Sequence, residues 1–365
     1  MNSNSSMPTK SVQGILNRLK AEAMRLGFSA CGVARAEMIG TDHAEAFRRW
    51  ISEGKNAGMD YMCNYETLRM DPCVLLPGAR SVISVALNYY PKQFIDASQP
   101  QFAFYAYGKD YHDVMRERLN MLAEWLKNDV DSNNTNGNTD YDIPTYESPM
   151  FRVCVDTAPV LERYWAQQSG IGWIGRNHSL IIPHAGSYFF LGEIITSVEF
   201  DDYDTPIPSQ CGNCHRCLDV CPAKALGETF DARRCLSYLT IEHRGDFTDE
   251  MLQILSSSLS RSCSTTDSCE SPKSQLCSVT NSCESLKSQL CYIYGCDRCQ
   301  HVCPHNRFAT PTEIAEFMPS DSLLSMRYAD WKSLTRSQYQ ELFRGSAVKR
   351  VKYEGLMRNI NELLK

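Results

Sequence analysis

The chain has 365 residues, 43% of them apolar, and a formal charge of -6 at pH 7. That balance describes a globular protein with room for two domains and a tail, and it excludes a general nucleic-acid coat while leaving space for a local basic face. No apolar run is long enough to span a bilayer, and residues 1 to 11 carry neither an apolar export signal nor a twin-arginine pair, so a cytoplasmic location without membrane attachment is expected.

Val12, Ile15, Leu16, Leu19, Ala23 and Leu26 stand at helical spacing before Gly27, which predicts an amphipathic helix over residues 10–26. A short strand over residues 30–34 follows, then a helix with Ala44, Phe47, Trp50 and Ile51 on one face. The β-branched run over residues 81–88, entered through Pro77-Gly78, reads as a buried strand. Residues 107–112 open a long helix whose stripe is Val114, Met115, Leu119, Leu122, Ala123, Trp125 and Leu126. Beyond it, residues 131–142 are rich in Asn, Asp, Thr and Gly and read as a solvated loop. Residues 151–156 alternate like a strand, and Pro159 sits where proline favours a helix start. A glycine-rich turn over residues 170–177 leads into two strand-like runs, 179–183 and 188–200.

Strands alternating with helices through residues 1–205 predict an α/β sheet-and-helix domain, with Pro206 and Pro208 at its boundary. Residues 206–310 carry most of the cysteines, and residues 311–365 read as short helices with a basic stretch. The expected fold class is therefore α/β or α+β: a sheet-and-helix domain, a two-cluster module and a helical tail. Within the module, residues 267–277 are nearly repeated at 281–291. This unit is too short to stack as a solenoid and reads as an insertion loop at about 256–291. Its Cys263, Cys269, Cys277, Cys283 and Cys291 lack tight pairing and read as incidental thiols.

The remaining cysteines are ordered. In a chain of this size, seventeen of them indicate metal or redox chemistry rather than disulfides. Cys211-Gly-Asn-Cys214-His-Arg-Cys217-Leu-Asp-Val-Cys221-Pro222 has the C-x2-C-x2-C-x3-C-P spacing of a bacterial ferredoxin, in which three thiolates hold one cubane and the fourth reaches another. Cys296-Asp-Arg-Cys299-Gln-His-Val-Cys303-Pro304 is a second run. Two [4Fe-4S] clusters need eight thiolates and the runs supply seven, so Cys235 is the nearest candidate for the eighth. The crossed pattern puts one cluster on Cys211, Cys214, Cys217 and Cys303, and the other on Cys221, Cys235, Cys296 and Cys299. Two four-thiolate zinc sites are the alternative, but zinc ribbons pair their ligands two and two, and three in succession closed by Cys-Pro favour iron-sulfur. Clusters move single electrons, which implies an external electron donor and a further acceptor on the chain.

Longer motifs carry a resemblance. Val155-Asp156-Thr-Ala-Pro159-Val-Leu-Glu162, Gly172-Trp-Ile-Gly175-Arg-Asn177, Gly192-Glu-Ile194, both cysteine runs, the stretch from Cys235 to Gly245, and the closing stretch from Arg344 to Asn359 together resemble the epoxyqueuosine reductases, cobalamin-dependent iron-sulfur enzymes of tRNA modification. The resemblance runs from about residue 10 to the end, apart from the insertion. It implies cobalamin and two [4Fe-4S] clusters, a tRNA anticodon stem-loop carrying epoxyqueuosine as partner, and reduction of that base to queuosine, the last step of queuosine synthesis. Cobalamin reduced to its nucleophilic cob(I) state would open the epoxide, and its oxygen would leave as water with a proton from Asp156.

Read from the residues alone, Asp156 is in the first place a helix cap; the family motif reverses that order, since beside a corrinoid its pKa could rise enough for general-acid work. Arg69 falls in a segment resembling the family's corrinoid-contacting region, a surface arginine being the alternative. Gly175, Arg176 and Asn177 form a turn that could approach the corrinoid or close a helix. Ser237, beside Cys235, stands between cluster and corrinoid or is a small helix residue. The family usually has lysine at the position of Arg176 and Trp-Asn at that of His305-Asn306. Lys349, Arg350, Lys352, Arg358 and Arg244 are candidates for tRNA phosphates, with the modified base flipped into a pocket. A reductive dehalogenase would usually carry an export signal, and a pure two-cluster carrier would not need some two hundred residues ahead of its clusters. Nothing demands more than a monomer.

Overall fold

A computed structural model describes residues 13–135, 148–260 and 291–365. The tandem repeat, with Cys263, Cys269, Cys277 and Cys283, and most of the expected solvated loop lie outside the described residues. Strands β1 (Ala30–Arg35), β2 (Ser81–Asn88), β3 (Gln101–Phe102), β4 (Phe151–Cys154), β5 (Trp173–Ile174), β6 (Leu180–Ile181), β7 (Phe189–Thr196) and β8 (Tyr292–Tyr294) follow in chain order. Four of them form the main sheet in the order β1-β2-β7-β4, and each neighbouring pair is antiparallel. An apolar run such as β2 marks a strand buried on both faces but carries no direction, so the alternation of elements does not produce a parallel sheet.

Helices α1 (Gln13–Arg25), α2 (Thr41–Ser52), α3 (Glu66–Met70), α4 (Pro72–Leu75), α5 (Tyr111–Thr135) and α6 (Glu162–Gln168) surround that sheet. The stripe expected on the long helix is buried: Met115, Leu119, Leu122 and Leu126 are wholly enclosed and pack with Ile83, Val85, Ile194 and Leu19. Each such side chain contributes about 1.5–3 kcal/mol. Gly192 allows the close approach of α5, since a Cβ there would lie 2.8 Å from Leu119 and Met115. The opposite face carries Val82, Ile195, Cys154, Val160 and Trp165. Across it runs a row in register, Gly32, Ser84, Glu193 and Cys154.

Strand β3 pairs in parallel with β8, across almost two hundred residues. Phe102, Tyr294, Trp331 and Phe343 pack around this join, with ring centroids 5.1 to 5.7 Å from Phe102. Asn359, wholly buried, donates to Thr240 O at 2.8 Å and Ile293 O at 3.0 Å, stitching the tail to the cysteine-rich module. One hydrophobic core thus draws on residues from before 206, from the module and from the tail.

Three boundaries differ from expectation. The long helix continues to Thr135, the strand after residue 150 ends at Cys154, and the following helix begins at Glu162 rather than Pro159. Cys291 belongs to the packed module rather than an insertion: Gln101 N–H donates to its carbonyl at 2.7 Å, and its thiol faces Leu363 O at 3.5 Å. Among the described residues no helix is long and apolar enough to cross a membrane.

Candidate active site

The seven cysteines of the two runs and Cys235, all free thiols, fall into two groups. Cys217 is pushed up chiefly by burial and then by Cys303, Cys214 and Cys211, and Cys303 by burial, Cys211 and Cys214. The other four meet likewise: burial and then Cys296, Cys235 and Cys221 push up Cys299, Cys296 is pushed up to about 12 with Cys235 contributing, and Cys235 feels Cys221. Thiols crowded out of water resist ionisation, and bound iron reverses that balance by taking the thiolate form. Main-chain N–H groups already point at the sulfurs. Ala225 N–H donates to Cys221 Sγ at 3.3 Å, and Cys235 stands at the start of helix Leu236–Ile241, where the larger upward push of burial on its pKa is opposed by a downward pull from the neighbouring Tyr238 and Ser237. Ser237 is thus placed beside the Cys235 thiol.

The turn holding Gly175, Arg176 and Asn177 stands against the first group. Arg176 Nη1 donates to Cys214 O at 2.7 Å. Asn177 is buried, with no partner for its Nδ2, and with Arg176 and Ile181 it lines a cavity closed by Cys211, Cys214, Cys217 and Cys303. An orphaned donor facing four thiols suits a cluster whose sulfides accept hydrogen bonds. A Cβ at Gly175 would lie 2.4 Å from Ile181 Cδ1 and 2.9 Å from Asn177 Oδ1, so a larger residue there would have to displace both side chains. On its other side Ile174, Gly175, Arg176 and His178 open onto a cleft of about 510 Å³ with Ser209, Gly212 and Glu228.

Asp156 follows β4 in the left-handed region, φ 48°, a conformation that costs a non-glycine residue about 1–2 kcal/mol. It caps no helix, since α6 has Leu161 before it and no side-chain cap. Instead its N–H donates to Glu162 Oε1 at 2.6 Å, and its Oδ2 lies 3.0 Å from His112 Nε2. The other His112 nitrogen, Nδ1, is 2.6 Å from Asp110 Oδ1. His112 stacks on Tyr111, and Tyr111 on Phe190, with centroids 4.2 and 4.3 Å apart. Hydrogen bonds to Asp110 and then Asp156 push His112 up to about 9, and the same bond holds Asp110 down. Desolvation and then the charge of Asp156 push Glu162 up to about 7. His112 and Glu193 were not singled out from the sequence; His112 is 44 positions from Asp156, and no local spacing marks it.

Arg69 is buried, with its Nε unpartnered. Its Nη2 donates to Tyr61 O at 3.4 Å and its guanidinium lies 5.9 Å from the Phe47 ring. Tyr61, itself 46% exposed, feels the charges of Glu242, Arg350, Asp156 and Arg69, so the Arg69 and Asp156 segments lie within electrostatic reach of one ring. The basic tail divides. Arg350 pairs with Glu242 at 2.7 Å and lies over Tyr61 at 5.6 Å, and Lys349 and Lys352 are exposed. Arg358 is occupied with the carbonyls of Leu239, His243 and Gly245, and Arg244 with those of Ile241 and Arg350. These two arginines serve the fold.

Two family descriptions match: "Epoxyqueuosine reductase QueG, DUF1730" over residues 69–157 and "4Fe-4S double cluster binding domain" over residues 210–271. The second selects iron-sulfur over zinc. The epoxyqueuosine reductase of Cellulophaga algicola is 34% identical over 94% of this chain and 96% of its own, and that of Leadbetterella byssophila is 35% identical over 94% and 96%. A crystal structure of epoxyqueuosine reductase with a tRNA-Tyr epoxyqueuosine-modified stem loop is similar with a TM-score of 0.75 at 25% identity, over 97% of this chain and 82% of that one. The Bacillus subtilis epoxyqueuosine reductase, solved with its aspartate-bearing catalytic loop swung out of the active site, matches with the same TM-score, identity and coverage.

Proposed function

Because this chain belongs to the epoxyqueuosine reductase family, we propose that it reduces epoxyqueuosine to queuosine in a tRNA anticodon stem-loop with Asp156 as the proton donor. Removing the epoxide oxygen to leave a double bond takes two electrons and two protons and releases water. When bound, the two clusters supply electrons one at a time and cobalamin supplies a strongly nucleophilic metal. The residues present suit these groups: two thiol quartets for the clusters, and the orphaned Nε of Arg69 for a polar group of the corrinoid.

The observation that carries the acid assignment is the chain Asp110–His112–Asp156, linked at 2.6 and 3.0 Å. His112 is protonated near neutral pH because two carboxylates flank it. That imidazolium is the source of the proton: as the epoxide oxygen departs, Asp156 takes a proton from His112 Nε2 and passes one to the oxygen. Cys211, Cys214, Cys217 and Cys303 are assigned to one cluster, and Cys221, Cys235, Cys296 and Cys299 to the other. The Arg176 and Asn177 turn braces the first, and Ser237 stands beside a ligand of the second. Residues 1–205 then serve the corrinoid, 206–310 the clusters and 311–365 the tRNA, with Arg350, Lys349 and Lys352 as phosphate contacts. An external reductant supplies the electrons, and the enzyme acts as a cytoplasmic monomer.

The test is anaerobic turnover of an epoxyqueuosine-containing stem-loop by the cluster-loaded, cobalamin-bound protein. Asp156→Asn is expected to keep both cofactors while losing most turnover. Unchanged turnover would remove Asp156 from the chemistry, and no queuosine from the loaded wild type would sink the reading altogether.

A further inference from the structure

Glu193 lies in the middle of the main sheet, on β7 between Ser84 and Cys154. It is wholly buried, and among the described residues neither carboxyl oxygen has a hydrogen-bond partner. The carboxyl group that acts on it is Glu162, the first residue of α6, which accepts the Asp156 N–H. Two carboxyl groups therefore stack behind the aspartate: an enclosed one in the sheet and a half-buried one on the helix.

We propose that Glu162 is a positioning residue for Asp156, latching the aspartate turn through the Asp156 amide, and that Glu193 behind it keeps the proton of the pair. This rests on reading Asp156 as the proton donor. A left-handed aspartate persists only where its surroundings over-determine it. His112 holds the side chain, whereas Glu162 holds the main chain and so fixes where the side chain starts. In the Bacillus subtilis enzyme the corresponding loop has been seen swung out, so in that protein the turn has a second position.

An ionised, unpartnered carboxylate at Glu193 would be costly, so that residue stays neutral and Glu162 is the member free to ionise. As a carboxylate Glu162 accepts a charge-assisted bond, roughly twice as strong as a neutral one. The groups facing the pair are His112 and Tyr111 from α5, Asp156 from the turn, Arg163 on α6, and Cys154 from the sheet. Glu162 titrates at about 7, a value raised in the fold, so the strong latch is present above that pH and weakens below it.

The experiment combines hydrogen exchange of the amides of residues 155–158 in the cluster-loaded protein with turnover of the stem-loop. Wild-type protection, corrected for intrinsic exchange, is expected to fall between about pH 8 and pH 6, the range in which a carboxyl titrating near neutrality changes charge. Glu162→Ala should lose about 10- to 100-fold of the protection above pH 7 and lower kcat by about tenfold, with KM within about twofold. Glu162→Gln, which keeps an acceptor of the same shape, should retain partial protection with no pH dependence. Glu193→Gln, a stand-in for the neutral acid, should keep both protection and its pH dependence. Wild-type protection in Glu162→Ala, or pH-independent protection in the wild type, overturns the latch. A fully active Asp156→Asn beside a loosened Glu162→Ala turn would instead refute the proton donor and leave the latch standing.

Discussion

Replacing His112 with glutamine removes the only titrating ring between Asp110 and Asp156 while keeping a side chain of similar reach. In the folded protein the imidazole rises from 6.5 to about 9, a preference for the charged form worth about 3 kcal/mol. That is an upper bound, because the Asp156 side chain is 54% exposed and its share is screened by water. A value raised in the fold means that the stabilisation is complete below about 6.5 and lost as pH rises through about 9. The wild-type single-turnover rate is therefore expected to fall above about pH 9 as the imidazolium is lost. His112→Gln should lower the neutral rate by about 10- to 100-fold, part of what positioned proton transfer supplies, and should lack that alkaline fall. The assay is quenched turnover of the stem-loop by pre-reduced enzyme across pH, with the imidazole followed by NMR. An imidazole titrating near 6.5, or an alkaline fall that survives in His112→Gln, would refute the relay.

Other expectations concern binding and packing. Cys235→Ser should leave the cluster on Cys211, Cys214, Cys217 and Cys303 and lose the other, so the iron content drops from about eight to about four per chain; an undiminished count rejects the ligand assignment. Arg69→Met keeps the buried stem but removes the orphaned Nε, and should weaken cobalamin binding by about tenfold, the scale of one charged hydrogen bond, as read by absorbance titration. Asn306 accepts from Ser187 N–H at 2.6 Å and donates to Gln300 O at 2.7 Å. Asn306→Ala should therefore cost about 1–3 kcal/mol, seen as a lower midpoint of thermal unfolding.

Ligand spacing is a local property, which is why the cysteine runs and Cys235 could be proposed as two ligand sets before any coordinates. The helix stripe of Met115, Leu119 and Leu122 was legible for the same reason. The surroundings of Asp156 were not. His112 reaches it from another helix, Glu162 touches it through the main chain rather than a side chain, and Glu193 arrives by strand register. The residues of the Gly175 to Asn177 turn could be marked as special, but the thiols they lie against come from Cys211 onward and from Cys303. A charge count in the tail likewise could not separate Arg358, spent on three carbonyls, from the exposed Lys349 and Lys352.

The parallel join of β3 to β8 bears on the order of events during synthesis. The first strand of that pair waits for a partner made almost two hundred residues later, and both thiol quartets are likewise closed only by cysteines near residue 300. At ribosomal speeds of about 5–20 residues per second, the chain spends on the order of ten seconds with Cys211, Cys214 and Cys217 made and Cys303 still missing. With the cluster ligands proposed above, iron delivery would thereby be tied to a nearly finished polypeptide, since a chain stopped earlier has neither a complete ligand set nor the strand that pairs with β3.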